Sequence, residues 1–229
     1  MVEILRAADS RGMIVVVGIF YQRAPFPFRD KGAVRAVVRT VTESLRPHRN
    51  AILNIANEQN SSLWKDSETV CDFRNPEVII ELCRLANEID PARIVGGGGY
   101  DHAHNEKIGR SPDVDVLLFD TNNPEPDSGA LYERFVAAGV TGKPIVNVET
   151  FGGWTKKFMP AGVFPPEAKA AYLREVESAR RLPGLSVFFH NNPWCQGPAQ
   201  ELPRHYDLGG DGSAEHPGIR WYFEAVRKQ

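Results

Sequence analysis

The sequence predicts a parallel α/β fold in which short buried strands alternate with amphipathic helices. Apolar residues recur at helical spacing in six segments, and short runs rich in β-branched residues lie between those segments. No hairpin signal joins one of these runs to the next. Alternation without hairpins is typical of a parallel sheet covered by helices, which leaves a barrel or an open doubly wound sheet as the possible architectures.

Each helix is predicted from an apolar stripe, and two helices also have clear end signals. In the second helix, Val34 and Leu45 share one apolar face, and Pro47 ends the pattern. The third helix opens with Asn75 as the N-cap and Pro76 at the first helical position. In chain order, the six predicted helices cover residues 2–11, 34–45, 75–89, 128–138, 166–180 and 217–226.

The predicted strands are mainly continuous apolar runs, which indicates burial on both faces of the sheet. They cover residues 13–20, 51–56, 93–95, 114–119, 144–148 and 185–189. Connections from helix to strand are short, whereas those that leave strands are mostly long and rich in glycine, proline, asparagine and aromatic residues. In an α/β barrel the loops that leave the strands build the active site, so we expect the functional residues there.

The composition excludes several classes of protein. The chain has 229 residues, 42% of them hydrophobic, and its 27 basic and 29 acidic residues leave a net charge of -2. This balance provides no electrostatic footprint for nucleic acid or for an anionic membrane, and no apolar run approaches the ~18 residues of a membrane-spanning helix. The three cysteines have no CxxC spacing, so we expect neither a zinc framework nor a disulfide scaffold. Since no linker divides the chain, a single domain over residues 1–229 is expected.

Two glutamates stand at the ends of predicted strands. Asn57 and Glu58 follow the second strand in the string NIANEQN, and Glu149 ends the fifth strand in KPIVNVETFGGW. Both carboxylates are therefore expected at the same end of the parallel sheet. Cleavage of a glycosidic bond needs such a pair, because one carboxyl group protonates the leaving oxygen and the other attacks the anomeric carbon or activates water.

The two strings resemble the signature segments of the retaining β-glycosidase barrels of clan A, and in particular of glycoside hydrolase family 5, the cellulases and β-mannanases. Those enzymes end barrel strand four with Asn-Glu and barrel strand seven with a nucleophilic glutamate. Glu58 and Glu149 are separated by the same number of strands, so the six predicted strands correspond to barrel strands three to eight. The resemblance implies a TIM barrel that is incomplete at its N-terminus, and we therefore expect the chain to be a fragment or a truncated form.

The resemblance also implies roles for the residues of the two strings. Asn57 would hydrogen-bond the sugar 2-hydroxyl, Glu58 would be the acid/base and Glu149 would be the nucleophile. In a retaining enzyme the two carboxyl groups lie about 5–5.5 Å apart, whereas about 6.5–9.5 Å indicates an inverting enzyme. No metal or organic cofactor is required, and the expected partner is a carbohydrate substrate.

The sequence departs from the family pattern at three places. Gln59 stands where the family usually has a proline, and Thr150 is inserted before Phe151. The sixth barrel strand would end in residues 119–122, without the histidine and tyrosine that orient the nucleophile in many members. The sugar, the linkage and the endo or exo mode of action are therefore left open.

Aromatic and histidine side chains in the long loops are the candidate sugar-binding residues. Aromatic rings stack on the apolar faces of sugars, although rings in loops also often serve only for packing. The candidates are Tyr100, His102, Trp154, His190 and Trp194, and Trp64 lies in a loop of the same kind.

The glycine run at residues 96–99 lacks the lysine and hydroxyl residue of a phosphate-binding P-loop. We interpret it as backbone crowding or flexibility at a strand exit, followed by a polar loop that holds His102 and His104. Together with Asp120, these histidines leave a metal-dependent hydrolase as a third hypothesis.

The second hypothesis is a carbohydrate-binding or degenerate barrel that keeps the cleft without the chemistry. It predicts sugar binding without hydrolysis. The sequence leaves the oligomeric state open. It also leaves the location open, because the family resemblance favours secretion while no signal peptide is visible after Met1.

Overall fold

The computed structural model describes residues 1–22, 27–121, 127–152, 162–190 and 208–227. In these residues, strands and helices alternate along the chain as the periodicity predicts. The strands are β1 (Val15–Phe20), β2 (Ala51–Ala56), β3 (Val95–Gly97), β4 (Val116–Asp120), β5 (Ile145–Glu149) and β6 (Leu185–Val187). The helices are α1 (Val2–Asp9), α2 (Lys31–Leu45), α3 (Pro76–Ile89), α4 (His102–Arg110), α5 (Ser128–Ala137), α6 (Pro166–Arg181) and α7 (Arg220–Arg227). Short 3-10 helices lie at Ser62–Ser67 and Thr150–Gly152.

The six strands form one parallel sheet whose spatial order, β1 to β6, is the order along the chain. In the register of the first three strands, Val15 lies opposite Ala51 and Leu53 lies opposite Val95. Strands β2, β3 and β4 are almost wholly buried, whereas β1 stands at one end of the order and exposes Gly18. The predicted fold class, a parallel α/β sheet of the barrel type, is confirmed.

Helix α4 has no counterpart among the predicted helices, so the expected polar loop around residues 102–104 is wrong. Only three of its residues are buried, too few to form an apolar stripe. Polar contacts hold it instead. The Asp101 carboxylate accepts hydrogen bonds from two backbone N–H groups of the first turn, at 3.0 and 3.1 Å, and thereby caps the helix. The Asn105 amide bonds both backbone groups of Gly99, at 3.0 and 2.7 Å.

The glycine run marks a place where two backbones approach closely, as one of the two readings of the sequence predicts. A Cβ atom on Gly96 would lie 1.9 Å from the carbonyl oxygen of Val116, and one on Gly98 would lie 1.8 Å from that of Leu118. Real non-bonded contacts are never that short, so only glycine fits there. The run therefore lets β3 and its exit pack directly against β4.

Two helix starts illustrate how caps determine the boundaries. The Asn75 side chain accepts a hydrogen bond from the N–H of Glu77 at 3.0 Å, and Pro76 opens α3, as predicted. Helix α2 begins earlier than its apolar stripe, because Asp30 caps it by accepting from the N–H of Ala33 at 2.8 Å. None of the described helices is long and apolar enough to cross a membrane.

The chain falls into two compact units. The first comprises Met1–Phe119 and Arg134–Ile145, and the second comprises Asp120–Glu133 and Val146–Gln229. The largest fully buried side chains of the first unit include Leu53, Ile55, Phe73, Ile79 and Ile108. Each such side chain contributes about 1.5–3 kcal/mol of transfer free energy. The core of the second unit is a hydrophobic cluster that contains Ile219 and the aromatic residues Phe164, Tyr172 and Tyr222. The expectation of a single domain over residues 1–229 stays a prediction.

Candidate active site

Glu58 lies in the first unit, two residues beyond the end of β2. Its backbone is in the left-handed region, with φ at 42°, which a residue with a Cβ rarely adopts. Three hydrogen bonds hold this turn. The Glu58 carbonyl accepts from the N–H of Ser61 at 2.8 Å and from the indole of Trp64 at 3.1 Å, and the N–H of Gln59 donates to the carbonyl of Gly98 at 3.1 Å. Non-glycine residues in this conformation cluster at functional sites.

Trp64 supports the backbone around Glu58, although the sequence suggested that it could stack on a sugar. Its side chain is only 3% exposed and packs on Phe73 with ring centroids 4.6 Å apart. Its Nε1 donates to the carbonyls of both Asn57 and Glu58, at 3.2 and 3.1 Å. The ring is therefore not accessible to a ligand, and Trp64 instead orients the strand end that bears Glu58.

Gln22 contacts both residues of the predicted Asn-Glu pair, and the sequence analysis did not identify it. Its Nε2 donates a hydrogen bond to Oε2 of Glu58, and its Oε1 accepts one from Nδ2 of Asn57 at 3.2 Å. Gln22 is itself only 6% exposed. The parallel register of Phe20 with Ala56 predicts this pairing, because residues two further along each strand then lie side by side.

The remaining candidate residues of the first unit have different surroundings in the structure. Tyr100 is half-buried, and its N–H donates to Oδ1 of Asn60 at 2.9 Å. The His102 ring packs edge-on against Phe119 and Phe135, with centroids 6.4 and 5.8 Å apart, which favours a packing role. The candidate metal ligand His104 has its Nδ1 3.3 Å from Nε2 of Gln59.

No group of three or more histidine, cysteine or acidic side chains among the described residues is arranged to hold a metal ion. The metal hypothesis therefore finds no support in the part of the chain that the structure describes.

An open groove of about 500 Å³ lies in the first unit, beside the segment that follows Glu58. All but one of its lining residues are polar or charged, and none of them is phenylalanine, tyrosine or tryptophan. A hydroxyl-rich ligand could therefore exchange hydrogen bonds with it. The lining residues are Asn60, Ser62, Asp72, Arg74, Asn75, Pro76, Asp101 and His104.

Glu149 lies in the second unit as the last residue of β5. Its side chain is 15% exposed, and its Oε1 lies 3.6 Å from Nδ1 of His190, which is 7% exposed. The His190 carbonyl accepts a hydrogen bond from the hydroxyl of Tyr172 at 2.8 Å. The structure thus brings together Glu149 and His190, which the sequence predicted separately as a catalytic and a sugar-binding residue. His190 lies three residues beyond β6, the neighbour of β5 in the sheet.

One side chain and one backbone N–H group hold the backbone of Glu149. The N–H of Glu149 donates to Oδ1 of Asn147 at 3.1 Å, and its carbonyl accepts from the N–H of Thr121 at 3.1 Å. Phe151, two residues further on, has a φ of 60°. Phe151 and Glu58 are the two non-glycine residues with positive φ among the described residues, so each candidate glutamate lies at or beside a strained backbone.

Behind this segment lies a buried acid, Glu175 of α6, which the sequence analysis also missed. It is 3% exposed, and its Oε2 accepts a hydrogen bond from the N–H of Ser128 at 3.1 Å. Burial raises the pKa of the Glu175 carboxyl, and its hydrogen bonds with Ser128 oppose that rise. Trp154 and Trp194, the other two predicted sugar-binding residues, lie outside the described residues.

No protein-family model and no curated protein matches this chain. Solved structures do match it. Xylanase 10B from Thermotoga maritima gives a TM-score of 0.65 at 15% identity, with 99% of this chain and 78% of that chain covered. A glycoside hydrolase family 5 enzyme from Prevotella bryantii B14 gives 0.55 at 12% identity, with 88% and 70% covered.

A GH2 β-galacturonidase from Eisenbergiella tayi gives a TM-score of 0.54 at 16% identity, with 82% of this chain covered. The chain spans only 34% of the length of that enzyme. Identities this low show the fold alone. The chain thus has a fold like that of these three glycoside hydrolases.

Proposed function

We propose that this chain is a glycoside hydrolase that cleaves β-glycosidic bonds of an oligosaccharide or polysaccharide with retention of configuration. One observation carries the proposal. In a fold shared with glycoside hydrolases, each of two glutamates stands at the carboxyl end of a parallel strand, at or beside a left-handed non-glycine residue. Active sites of α/β barrels are built at these strand ends. We further propose kinship with family 5, with β1 to β6 corresponding to barrel strands three to eight.

The proposed reaction has two displacements. In the first, the Glu149 carboxylate attacks the anomeric carbon, the glycosidic C–O bond breaks, and the Glu58 carboxylic acid gives its proton to the leaving oxygen. In the second, the Glu58 carboxylate takes a proton from water, and the resulting hydroxide equivalent attacks the anomeric carbon and frees Glu149. The enzyme returns to its starting protonation state, and these steps use no cofactor.

The neighbouring side chains fit these roles. Gln22 holds the Asn57 amide and the Glu58 carboxyl in one hydrogen-bonded group, which limits the conformations of both. We propose that the second Nδ2 hydrogen of Asn57 contacts the sugar 2-hydroxyl. His190, 3.6 Å from the Glu149 carboxyl, would fix its orientation. Tyr100, Trp154 and Trp194 stay proposed contacts to the sugar.

The test uses dinitrophenyl β-cellobioside and β-mannobioside as substrates. Glu149→Ala should lose turnover, and added azide should restore part of it by forming a glycosyl azide of inverted configuration. The exposed Glu177→Ala is the matched control and should keep wild-type activity. Proton NMR of the first product should show the β-anomer. Equal activity of wild type and Glu149→Ala, or an α-anomer as the first product, would refute the mechanism.

A carbohydrate-binding protein without catalysis is the second candidate function. The polar groove of about 500 Å³ in the first unit favours it, because that groove needs no catalytic pair in order to bind hydroxyl groups. It predicts heat of binding in calorimetry with cello- or manno-oligosaccharides and no release of reducing ends by the wild-type protein. Measured hydrolysis that depends on Glu149 would eliminate it.

A further inference from the structure

Strand β5 ends at Glu149, and the residues that follow it lie outside the strand. Two side chains form hydrogen bonds with the backbone at this point. Asn147 accepts the N–H of Glu149 on its Oδ1 at 3.1 Å. The Thr121 hydroxyl accepts the N–H of Phe151 at 3.1 Å and lies 3.4 Å from the carbonyl of Glu149, to which it can donate. These hydrogen bonds hold the N–H and the carbonyl of Glu149 and the N–H of Phe151.

The same two side chains are hydrogen-bonded to each other and, through Ser128, are connected to Glu175. Nδ2 of Asn147 donates to Oγ1 of Thr121 at 3.0 Å and to Oγ of Ser128 at 2.8 Å. Ser128 in turn donates its N–H to the Glu175 carboxyl at 3.1 Å. Asn147 and Ser128 are completely buried, and Thr121 and Glu175 are each 3% exposed. We call Asn147, Thr121, Ser128 and Glu175 the polar clamp.

Burying a carboxyl group costs desolvation free energy. An apolar side chain of similar volume usually stabilises a core as well or better, because it avoids the desolvation of a charge. Glu175 lies in the helix that also supplies Tyr172 to the aromatic core, and its carboxyl accepts the N–H of Ser128, the first residue of α5. Through Ser128, the Glu175 carboxyl is connected to the side chain of Asn147.

We propose that Asn147 and Thr121 are positioning residues that aim the Glu149 carboxylate, and that Glu175 holds them in place through Ser128. This inference rests on the proposed function, in which Glu149 is the nucleophile. Attack on the anomeric carbon needs the carboxylate within a narrow range of distance and angle, and the backbone from Asn147 to Phe151 determines where that carboxylate lies. The clamp touches no substrate and acts only through Glu149.

The test compares two substitutions of one residue. Thr121→Val keeps the shape but removes the hydroxyl, whereas Thr121→Ser keeps the hydroxyl. With dinitrophenyl β-cellobioside and β-mannobioside, Thr121→Val should lower kcat/KM and the rate of labelling of Glu149 by a fluorosugar inactivator on the order of 100-fold, the cost of a misplaced nucleophile. Thr121→Ser should recover most of this loss, because the hydroxyl and not the methyl group makes the contacts.

Glu175→Gln is the second variant and tests the contribution of the Glu175 carboxyl. Its matched control is Glu177→Gln, at an exposed position of the same helix. Glu175→Gln should lower kcat about tenfold and leave KM nearly unchanged, since only the aim of Glu149 is affected. Circular dichroism and the thermal midpoint of each variant show whether it folds. If Thr121→Val does not fold, Glu175→Gln and its control decide the question.

Three results would overturn the inference. The first is wild-type kinetics in Thr121→Val. The second is an equal loss in Thr121→Ser, which would indicate packing rather than hydrogen bonding. The third is wild-type kinetics in a folded Glu175→Gln when Thr121→Val does not fold. A wild-type protein that neither hydrolyses the probes nor is labelled at Glu149 would instead refute the proposed function itself, and the two kinds of failure cannot be confused.

Discussion

Replacing Gln22 with alanine removes two hydrogen bonds from the candidate acid/base and its neighbour. One runs from Nε2 of Gln22 to the Glu58 carboxyl, and the other runs from the Asn57 amide to Oε1 of Gln22. A hydrogen bond to a charged group contributes about 1.5–3 kcal/mol and a neutral one about 0.5–1.5 kcal/mol. Asn57 and Glu58 are half-exposed, so water replaces part of the loss, and the lower ends of these ranges apply.

Together the two bonds contribute about 2 kcal/mol to the orientation of Glu58. If all of this energy serves the protonation of the leaving group, Gln22→Ala lowers kcat/KM about 30-fold, since ~1.4 kcal/mol corresponds to a factor of ten. The loss should depend on the leaving group. Phenyl β-cellobioside needs acid catalysis and should show the whole effect, whereas dinitrophenol leaves without a proton and its β-cellobioside should change by less than about threefold.

The assay is kcat/KM for both substrates, because this ratio reports the first displacement. Arg29→Ala, in the same connection between β1 and α2 with its side chain 89% exposed, is the control and should behave as wild type. Gln22→Glu adds a second probe. A like charge beside Glu58 favours its protonated form and should move the alkaline limb of the pH profile to higher pH. Equal losses on the two leaving groups in Gln22→Ala would refute the reasoning, because Gln22 would then not act through Glu58.

Two further predictions concern stability. Gly98→Ala places a Cβ 1.8 Å from the carbonyl oxygen of Leu118 and should lower the free energy of urea unfolding by about 3 kcal/mol or more, whereas Gly18→Ala, with nothing within 4 Å, should not. A Gly98→Ala protein as stable as wild type would disprove the close approach of β3 and β4. For Glu175, the folded pKa is raised above the ordinary 4.5, so the folded state holds its proton longer than the unfolded chain does. The resulting stability is fully present below pH 4.5 and is lost as the pH rises through the raised pKa. In urea titrations over that pH range, wild type should therefore lose stability relative to Glu175→Gln. A difference in stability that does not change with pH would contradict the raised pKa.

The order of the secondary-structure elements followed from the sequence because each element depends on neighbouring residues. An apolar stripe such as that of Val34 and Leu45 predicts a helix whatever surface the helix packs against. Asn75 and Pro76 mark the start of α3 through contacts within a single turn. The glycine run predicted either crowding or flexibility, and the structure shows the crowding. Helix α4 was missed because an aspartate cap and the Asn105 contacts to Gly99 hold it, and these leave no hydrophobic periodicity.

The candidate site was predictable only in part. Glu58 and Glu149 were found because a strand end is a local feature and family-like strings surround both residues. Gln22 and Trp64 were not identified as supports of Glu58, because nothing in their own neighbourhood in the chain distinguishes them from residues of an ordinary loop. The placement of His102 on an aromatic surface formed by Phe119 and Phe135 was equally hidden.

The sequence by itself therefore determined the six strands, six of the seven described helices, the order of these elements and the strand ends that bear the two glutamates. Only the tertiary structure decided which side chains surround them. Gln22 and Glu58 are 36 positions apart in the chain, and Ser128 and Glu175 are 47 positions apart. Hydrogen bonds over such separations depend on strand register and helix packing, which no local pattern encodes, because one residue of slip in the register turns every side chain to the other face.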